Sequence, residues 1–319
     1  MSLLSRIHDF FSKKQPATLI GISLQQEFLS VCFSPTRTEA NKSTFHQKKV
    51  SLQNFSQAIN ELNVETDFNG QCHLVLNALQ SHIIQVDRPN VPTNEITSAL
   101  KWQIKDLVPI SPDNMVLDYF DGPPLTGRKE KINVVCSPLN ELKKIVEVIH
   151  QNGVTVASIT TAEFAFAKLL PVQKDACLLV CQQPNEDVIL IIVKDGQLYF
   201  HRRLRGFSQM GSKSEDELAM TMVDALALEI QRSSDYFERQ LKQASIKEIK
   251  ILLPIALENF FARKLSENTQ QPVTLLHLPE GFEKQRDYAA AIGAIGVVNQ
   301  YREAHVMQEP AVEASHVSG

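Results

Sequence analysis

Two rhythms of apolar and polar positions run along the chain, and they divide it into short strands and amphipathic helices. Thr18 to Ser23 and Phe28 to Phe33 are apolar runs flanking the polar tip Gln25-Gln26-Glu27, which predicts a hairpin. "KKVSLQNF" (48–55) leads into a helix over 55–63, and strands follow at 72–79 and 82–92. Ile96, Leu100, Gln103, Ile104 and Leu107 keep a helical stripe that starts at Thr93 and is stopped by Pro109 and Pro112. Strands are predicted at 115–124 and 131–138, a helix at 139–153 closed by Gly153, a strand at 154–160 and a helix at 161–170.

The second half repeats the opening layout. Cys177 to Gln182, Val188 to Val193 and Gln197 to Leu204 predict three strands, with Asp195-Gly196 as a hairpin turn. The turn Gln183-Pro184-Asn185-Glu186 matches the opening tip in position. Two halves that each begin strand, polar turn, strand indicate a duplicated, bilobed α/β fold. A long helix is predicted over 212–243, with Ser214 and Glu217 as a capping box and an interruption at Ser233-Ser234. Strands at 246–254 and 272–278 bracket a helix at 257–267, and a closing helix spans 287–301.

Charge and chemistry narrow the function by exclusion. The net charge of −4 over 319 residues gives no general pull toward nucleic acid. Five cysteines of irregular spacing sit in apolar runs, which indicates buried thiols in a reducing compartment rather than disulfides. Cys177 and Cys181 lack a second pair or a nearby His, so no metal site is expected. No G-x-S-x-G and no GK[ST] occurs, and no catalytic residue is assigned. "GAIG" (293–296) reads as close helix packing, and "HRRLR" (201–205) as an exposed strand end or an anion or partner site. No apolar run reaches the roughly 20 residues of a membrane span. Residues 1–15 predict an amphipathic helix with Leu3, Leu4, Ile7, Phe10 and Phe11 on one face, suited to a membrane surface or a partner.

One stretch carries a resemblance. "EITSALKWQIKDLVPISPDNMVLDY" (95–119) is similar to a segment of the PilM family of type IV pilus assembly proteins, matching at Trp102, Gln103, Pro109, Pro112, Asp113, Val116, Asp118 and Tyr119. The order of elements is similar from about residue 17 to 303, and "LEIQRSSDYFERQL" (228–241) most resembles the MshI branch, which serves mannose-sensitive haemagglutinin (MSHA) pili. The resemblance implies a bilobed actin-like fold shared with FtsA. Its subdomains would be 1A (16–81 plus 153–172), 1C (82–152), 2A (173–212 plus 269–303) and 2B (213–268), with a disordered tail at 304–319. Family members bind ATP and magnesium between the lobes. They also hold the cytoplasmic N-terminus of a PilN-like inner-membrane protein between 1A and 1C, which points to Lys101, Trp102, Lys105, Asp106, Pro109 and Tyr119 as partner-binding positions. Ile104 and Leu107 are expected in the core.

The family's nucleotide motifs are degenerate here. The first hairpin, about G-[IL]-D-[IL]-G in the family, reads "GISLQQE": Gly21 is kept, Ser23 replaces the aspartate and Gln25 the tip glycine. In the second hairpin Cys181 replaces the aspartate and Gln183 the glycine. Pro254 and Ile255 replace the adenosine-side glycine pair, and Thr160 stands for a further aspartate. Ser and Cys cannot supply the metal-binding charge, a tip Cβ obstructs the backbone amides that would cradle phosphate, and Pro254 removes a donor. The expectation is a non-catalytic scaffold without a cofactor, peripheral on the cytoplasmic face of the inner membrane, linking a PilN-like protein to the assembly ATPase machinery. The alternatives are an active actin-like ATPase and, ranked last, an FtsA-like polymer former.

Overall fold

The computed structural model of the chain describes residues 18–35, 43–51, 54–122, 130–269 and 271–296. The N-terminal helix with Leu3, Leu4, Ile7, Phe10 and Phe11, the end of the closing helix and the tail at 304–319 lie outside them.

In chain order the strands and helices are β1 (Thr18–Leu24), β2 (Phe28–Pro35), β3 (Thr44–Lys49), α1 (Phe55–Glu65), β4 (Gly70–Leu76), β5 (His82–Asp87), α2 (Ile96–Gln103), β6 (Met115–Asp121) and β7 (Lys131–Pro138). Then come α3 (Leu139–Gln151), β8 (Val154–Thr161), α4 (Ala162–Ala167), β9 (Cys177–Cys181), β10 (Val188–Lys194) and β11 (Gln197–Leu204). The chain ends with α5 (Val223–Asp235), β12 (Glu248–Leu252), α6 (Glu258–Glu267), β13 (Val273–Leu275) and α7 (residues 289–296).

Two five-stranded sheets share one plan. The first has the order β3-β2-β1-β4-β8 and the second β11-β10-β9-β12-β13. In each, an antiparallel hairpin is followed by two parallel strands: β1 pairs parallel with β4 as β9 does with β12. A smaller antiparallel sheet, β5-β7-β6, stands apart from both.

Period-two patterning sets the layers. Ile20, Ile22 and Leu24 face a core shared with α1 and α3, whereas Leu19 faces one shared with α4 and α7. Burying one such side chain is worth roughly 1.5–3 kcal/mol, so a one-residue slip that turned Gly21 and Ser23 to the outer core would be costly. In the second sheet Leu178, Val180 and Leu190 face α5 and α6, while Leu179 and Ile191 face α4 and α7. The two sheets thus sandwich α4 and α7. A Cβ on Gly293 of α7 would collide with the Ala165 carbonyl of α4, and one on Gly21 with the Ala291 carbonyl of α7. Gly293 therefore serves close helix packing, as "GAIG" suggested. Gly21 is fixed by the same need for close approach.

Local chemistry agrees at several turns. Asp195 (φ 51°) and Gly196 (φ 71°) both adopt the left-handed region that a two-residue hairpin turn requires. Ser214 and Glu217 form both hydrogen bonds of a capping box. All five cysteines are free and buried, and burial pushes the Cys32 and Cys72 thiols up to about 12.

The structure corrects other expectations. β3 carries too few apolar residues to announce itself; it is an edge strand, where Lys48 and Lys49 are tolerated. Helix α2 ends at Gln103, where the chain turns through the Leu107 N–H to Ile104 carbonyl bond. Val108 and Ile110 enter the core in place of Leu107, which is 59% exposed. The helix around α5 is not interrupted at Ser233-Ser234, whose hydroxyls donate to the Glu229 and Ile230 carbonyls. The irregularities are π-turns at Leu218–Met222 and Tyr236–Gln240. Within the 82–152 range, α3 packs Ile145 and Ile149 into the core of the first sheet, not the small one. Within the 213–268 range, β12 is an inner strand of the second sheet, paired with both β9 and β13, with Ile249 and Ile251 buried on one face and Leu252 on the other.

Candidate functional site

The equivalent positions of β1 and β9 bring the two hairpin tips together. The first tip is closed by the Gln25 N–H to Phe28 carbonyl bond (2.8 Å), and the second by Glu186 N–H to Gln183 carbonyl (3.1 Å). Between the tips, Ser23 Oγ donates to Gln183 Oε1. The Gln26 amide donates to Glu186 Oε1 (2.8 Å), and Gln183 Nε2 donates to Glu186 Oε2 (3.1 Å). Ser23, Gln183 and Glu186 are each at most 3% exposed. Around them, Gln25 Nε2 donates to Ser30 Oγ (3.0 Å), and Asn77 Nδ2 donates to the Gln25 carbonyl (3.2 Å). Gln182 Nε2 donates to the carbonyls of Glu186 (2.6 Å) and Phe207 (2.9 Å). Gln25 and Gln183 are therefore built into a buried polar clasp. A bond of this kind nets about 0.5–1.5 kcal/mol, and orphaning one partner costs about 1–3 kcal/mol.

Charges flank the clasp. Arg203 of β11 donates to Glu163 Oε1 of α4 at 2.8 Å. Burial pushes the Glu163 carboxyl up, but Arg203, His201 and local hydrogen bonds outweigh it and hold the group below its ordinary value. Glu186 goes the other way: burial raises it, and the Gln26 amide and Arg203 only partly offset that. The Cys181 thiol is pushed well up, first by burial and then by Glu163, so it stays protonated; its Sγ lies 3.5 Å from the Ile189 carbonyl. Arg203 is thus the inward member of "HRRLR", while Arg202 and Arg205 are exposed. Neither position 23 nor position 181 offers a carboxylate. The two glutamates at the crossing are engaged, one by Arg203 and one by the opposite tip.

The remaining assigned positions sit close to structural duties. Thr160 is half-buried near the end of β8, in register with Val75 of β4. Pro254 and Ile255 are half-buried between β12 and α6, with Ile255 packed against the outer core of the second sheet. There Glu258 Oε1 accepts from the Leu253 amide (2.7 Å) and from Arg286 (2.6 Å).

Of the positions the resemblance marks for a partner, Lys101 and Trp102 lie on α2, Lys105, Asp106 and Pro109 on the loop after it, and Tyr119 on β6. Trp102 is 63% exposed with Lys105 Nζ 5.9 Å from its ring centre, and Asp106 and Pro109 are exposed. Lys101 and Tyr119 are half-buried, and Tyr119 packs against the small core. Trp102 is thus not core filling.

Glu163 and Asn77 stand out in no sequence pattern, and Gln26, Glu186 and Arg203 enter only as members of the two turns and of "HRRLR". The available signal was a polar residue inside or at the end of an apolar run, as at Glu163 in "TTAEFAF" and Asn77 in "LVLNAL". Their partners lie far away along the chain, so no local pattern pairs them.

No family model matches the chain, and no curated protein matches its sequence. Solved structures do match. One titled a PilM-PilN type IV pilus biogenesis complex is similar with a TM-score of 0.64 and 16% identity, over 88% of this chain and 98% of that one. The cytoplasmic domain of EpsL, an inner-membrane component of the type II secretion system of Vibrio cholerae, is similar with a TM-score of 0.54 and 11% identity, over 88% and 95%. A Bacteroides thetaiotaomicron protein of actin-like ATPase fold and unknown function follows at 0.51 and 9%, over 86% and 95%. At these identities the likeness speaks for fold alone, and with the duplicated sheets it gives the chain an actin-like ATPase fold.

Proposed function

We propose that the chain is a non-catalytic actin-like scaffold of type IV pilus assembly, of the MshI kind, that binds the cytoplasmic N-terminus of a PilN-like inner-membrane protein. The observation that carries the non-catalytic part is the clasp. The family resemblance implies ATP and magnesium between the two hairpins, held by aspartates and glycine amides. Here Ser23 bonds directly to Gln183, and Gln26 to Glu186. The residues present do not fit a metal nucleotide: Ser23 and Cys181 carry no charge, and buried side chains of Gln25 and Gln183 take up the tips.

The partner is supported by the similarity to a PilM structure solved with PilN and by the exposed Trp102 on the segment that most resembles that family. The chain would sit peripherally on the cytoplasmic face of the inner membrane, coupled to the assembly ATPase machinery. No helix among the described residues is long and apolar enough to cross a membrane. Calorimetric titration with MgATP tests the first half. Binding of the partner's N-terminal peptide, with and without MgATP, tests the second: the scaffold reading expects nucleotide-independent binding.

A further inference from the structure

We propose that the edge of the second sheet, along β11 and the neighbouring α5, docks an extended acidic segment of a partner protein. β11 is the outermost strand of its sheet and pairs only with β10 among the described residues, which leaves one backbone edge open to strand addition. Beside its C-terminal end a groove of about 350 Å³ is lined by Leu204, Arg205, Phe207, Ala225, Leu228 and Glu229. Leu228 is 51% exposed there.

Charge selects the occupant. Glu229 is shared by Arg202 and Arg232, one carboxylate between two guanidinium groups. Arg205 forms no ion pair with a described residue and is exposed. Arg203 is turned inward and neutralised by Glu163. The groove therefore carries surplus positive charge on a chain whose net charge is −4. At the equivalent edge strand of the first sheet, β3, Lys48 is met by both Glu61 and Glu65. A strand added to β11 would turn alternate side chains toward the sheet's two faces. Arg202 and Leu204 share the face toward α5, so there apolar residues would meet Leu204 and Leu228 while a carboxylate two positions along would reach Arg202, and one beyond the strand's end would reach Arg205, as charge-assisted pairs. Nucleic acid fits less well, because beside its arginines the groove is lined by the apolar side chains of Leu204, Phe207, Ala225 and Leu228.

A random dodecapeptide library displayed on phage, panned on the full chain and counter-selected on the Arg202→Glu/Arg205→Glu double variant, tests this. Both residues are exposed, so the variant should keep the wild-type circular dichroism and melting behaviour. The expected winners are acidic and carry apolar and acidic residues two apart, on one face of the strand. A synthetic copy should bind the wild type about tenfold or more tightly than the variant, weaken as salt rises, and slow amide exchange in residues 198–204. Failure to enrich such peptides, equal binding to the variant, or exchange protection elsewhere would overturn the proposal. So would selection of basic peptides.

Discussion

Ser23 Oγ donates its hydrogen to Gln183 Oε1, joining the tips of two hairpins that are 160 residues apart. This bond and its neighbour from Gln26 to Glu186 tie the two duplicated sheets together at their hairpin tips.

If the bond fastens the lobes, Ser23→Ala should destabilise the protein by about 1–3 kcal/mol, because Gln183 Oε1 loses its donor in a dry site. Gln183→Ala should behave similarly, and the double variant should cost less than the sum by about 1 kcal/mol. Urea unfolding of the four proteins measures this, and strict additivity would mean that the two side chains are not coupled.

Glu163 and Glu186 should give opposite pH signatures. The folded state lowers the Glu163 pKa from 4.5, so its stabilisation is complete above that value and is lost as pH falls through the lower folded value. The folded state raises the Glu186 pKa, so its contribution is favourable below 4.5 and is lost as pH rises through the higher folded value. At neutral pH, Glu163→Gln should lose stability and Glu186→Gln should gain it; on acidification the Glu186 difference shrinks as pH falls toward 4.5 and the Glu163 difference only below 4.5. Chemical denaturation at neutral and acidic pH reads the signs; two variants of the same sign would contradict the assignment.

Gly293→Ala should cost about 1–3 kcal/mol, since its new methyl would strike the Ala165 backbone between the sheets. Gly296→Ala, where no described atom lies within 4 Å, should stay within about 1 kcal/mol of the wild type. Thermal melts of both variants distinguish a packing contact from a general glycine effect.

On the partner side, replacing exposed Trp102 with Ala should change stability by less than about 0.5 kcal/mol. It should weaken binding of the PilN-like N-terminal peptide by about tenfold or more. Alanine at Lys101, Lys105 and Asp106 should weaken it further. Arg239→Ala, on the exposed end of the α5 extension, should leave it unchanged. Fluorescence anisotropy with the labelled peptide reports all of these, and the reverse pattern would move the partner to the other lobe.

Much of the fold was legible because the hairpins and parallel strands are nearly unbroken apolar runs, as in "CLLVC" and "VILIIV". β3 was not, since "TFHQKK" owes its strand to pairing with β2 rather than to its own composition. Leu107 kept the helical rhythm beyond the point where the helix ends, and only tertiary packing chose Val108 and Ile110 instead. At the site, the absence of a carboxylate at positions 23 and 181 and of glycine at 25 and 183 could be read directly. What replaced them could not: Glu186 finds the Gln26 amide, and Arg203 finds Glu163, only once the two lobes meet.

The most direct measurement is isothermal titration of MgATP into the purified chain, alongside a variant with Ser23→Asp, Gln25→Gly, Cys181→Asp and Gln183→Gly. The account predicts no heat of binding for the wild type, and nucleotide binding, if it can be restored at all, only in the variant that dismantles the clasp. Micromolar binding of MgATP by the wild-type chain, with Ser23 and Gln183 in place, would contradict it.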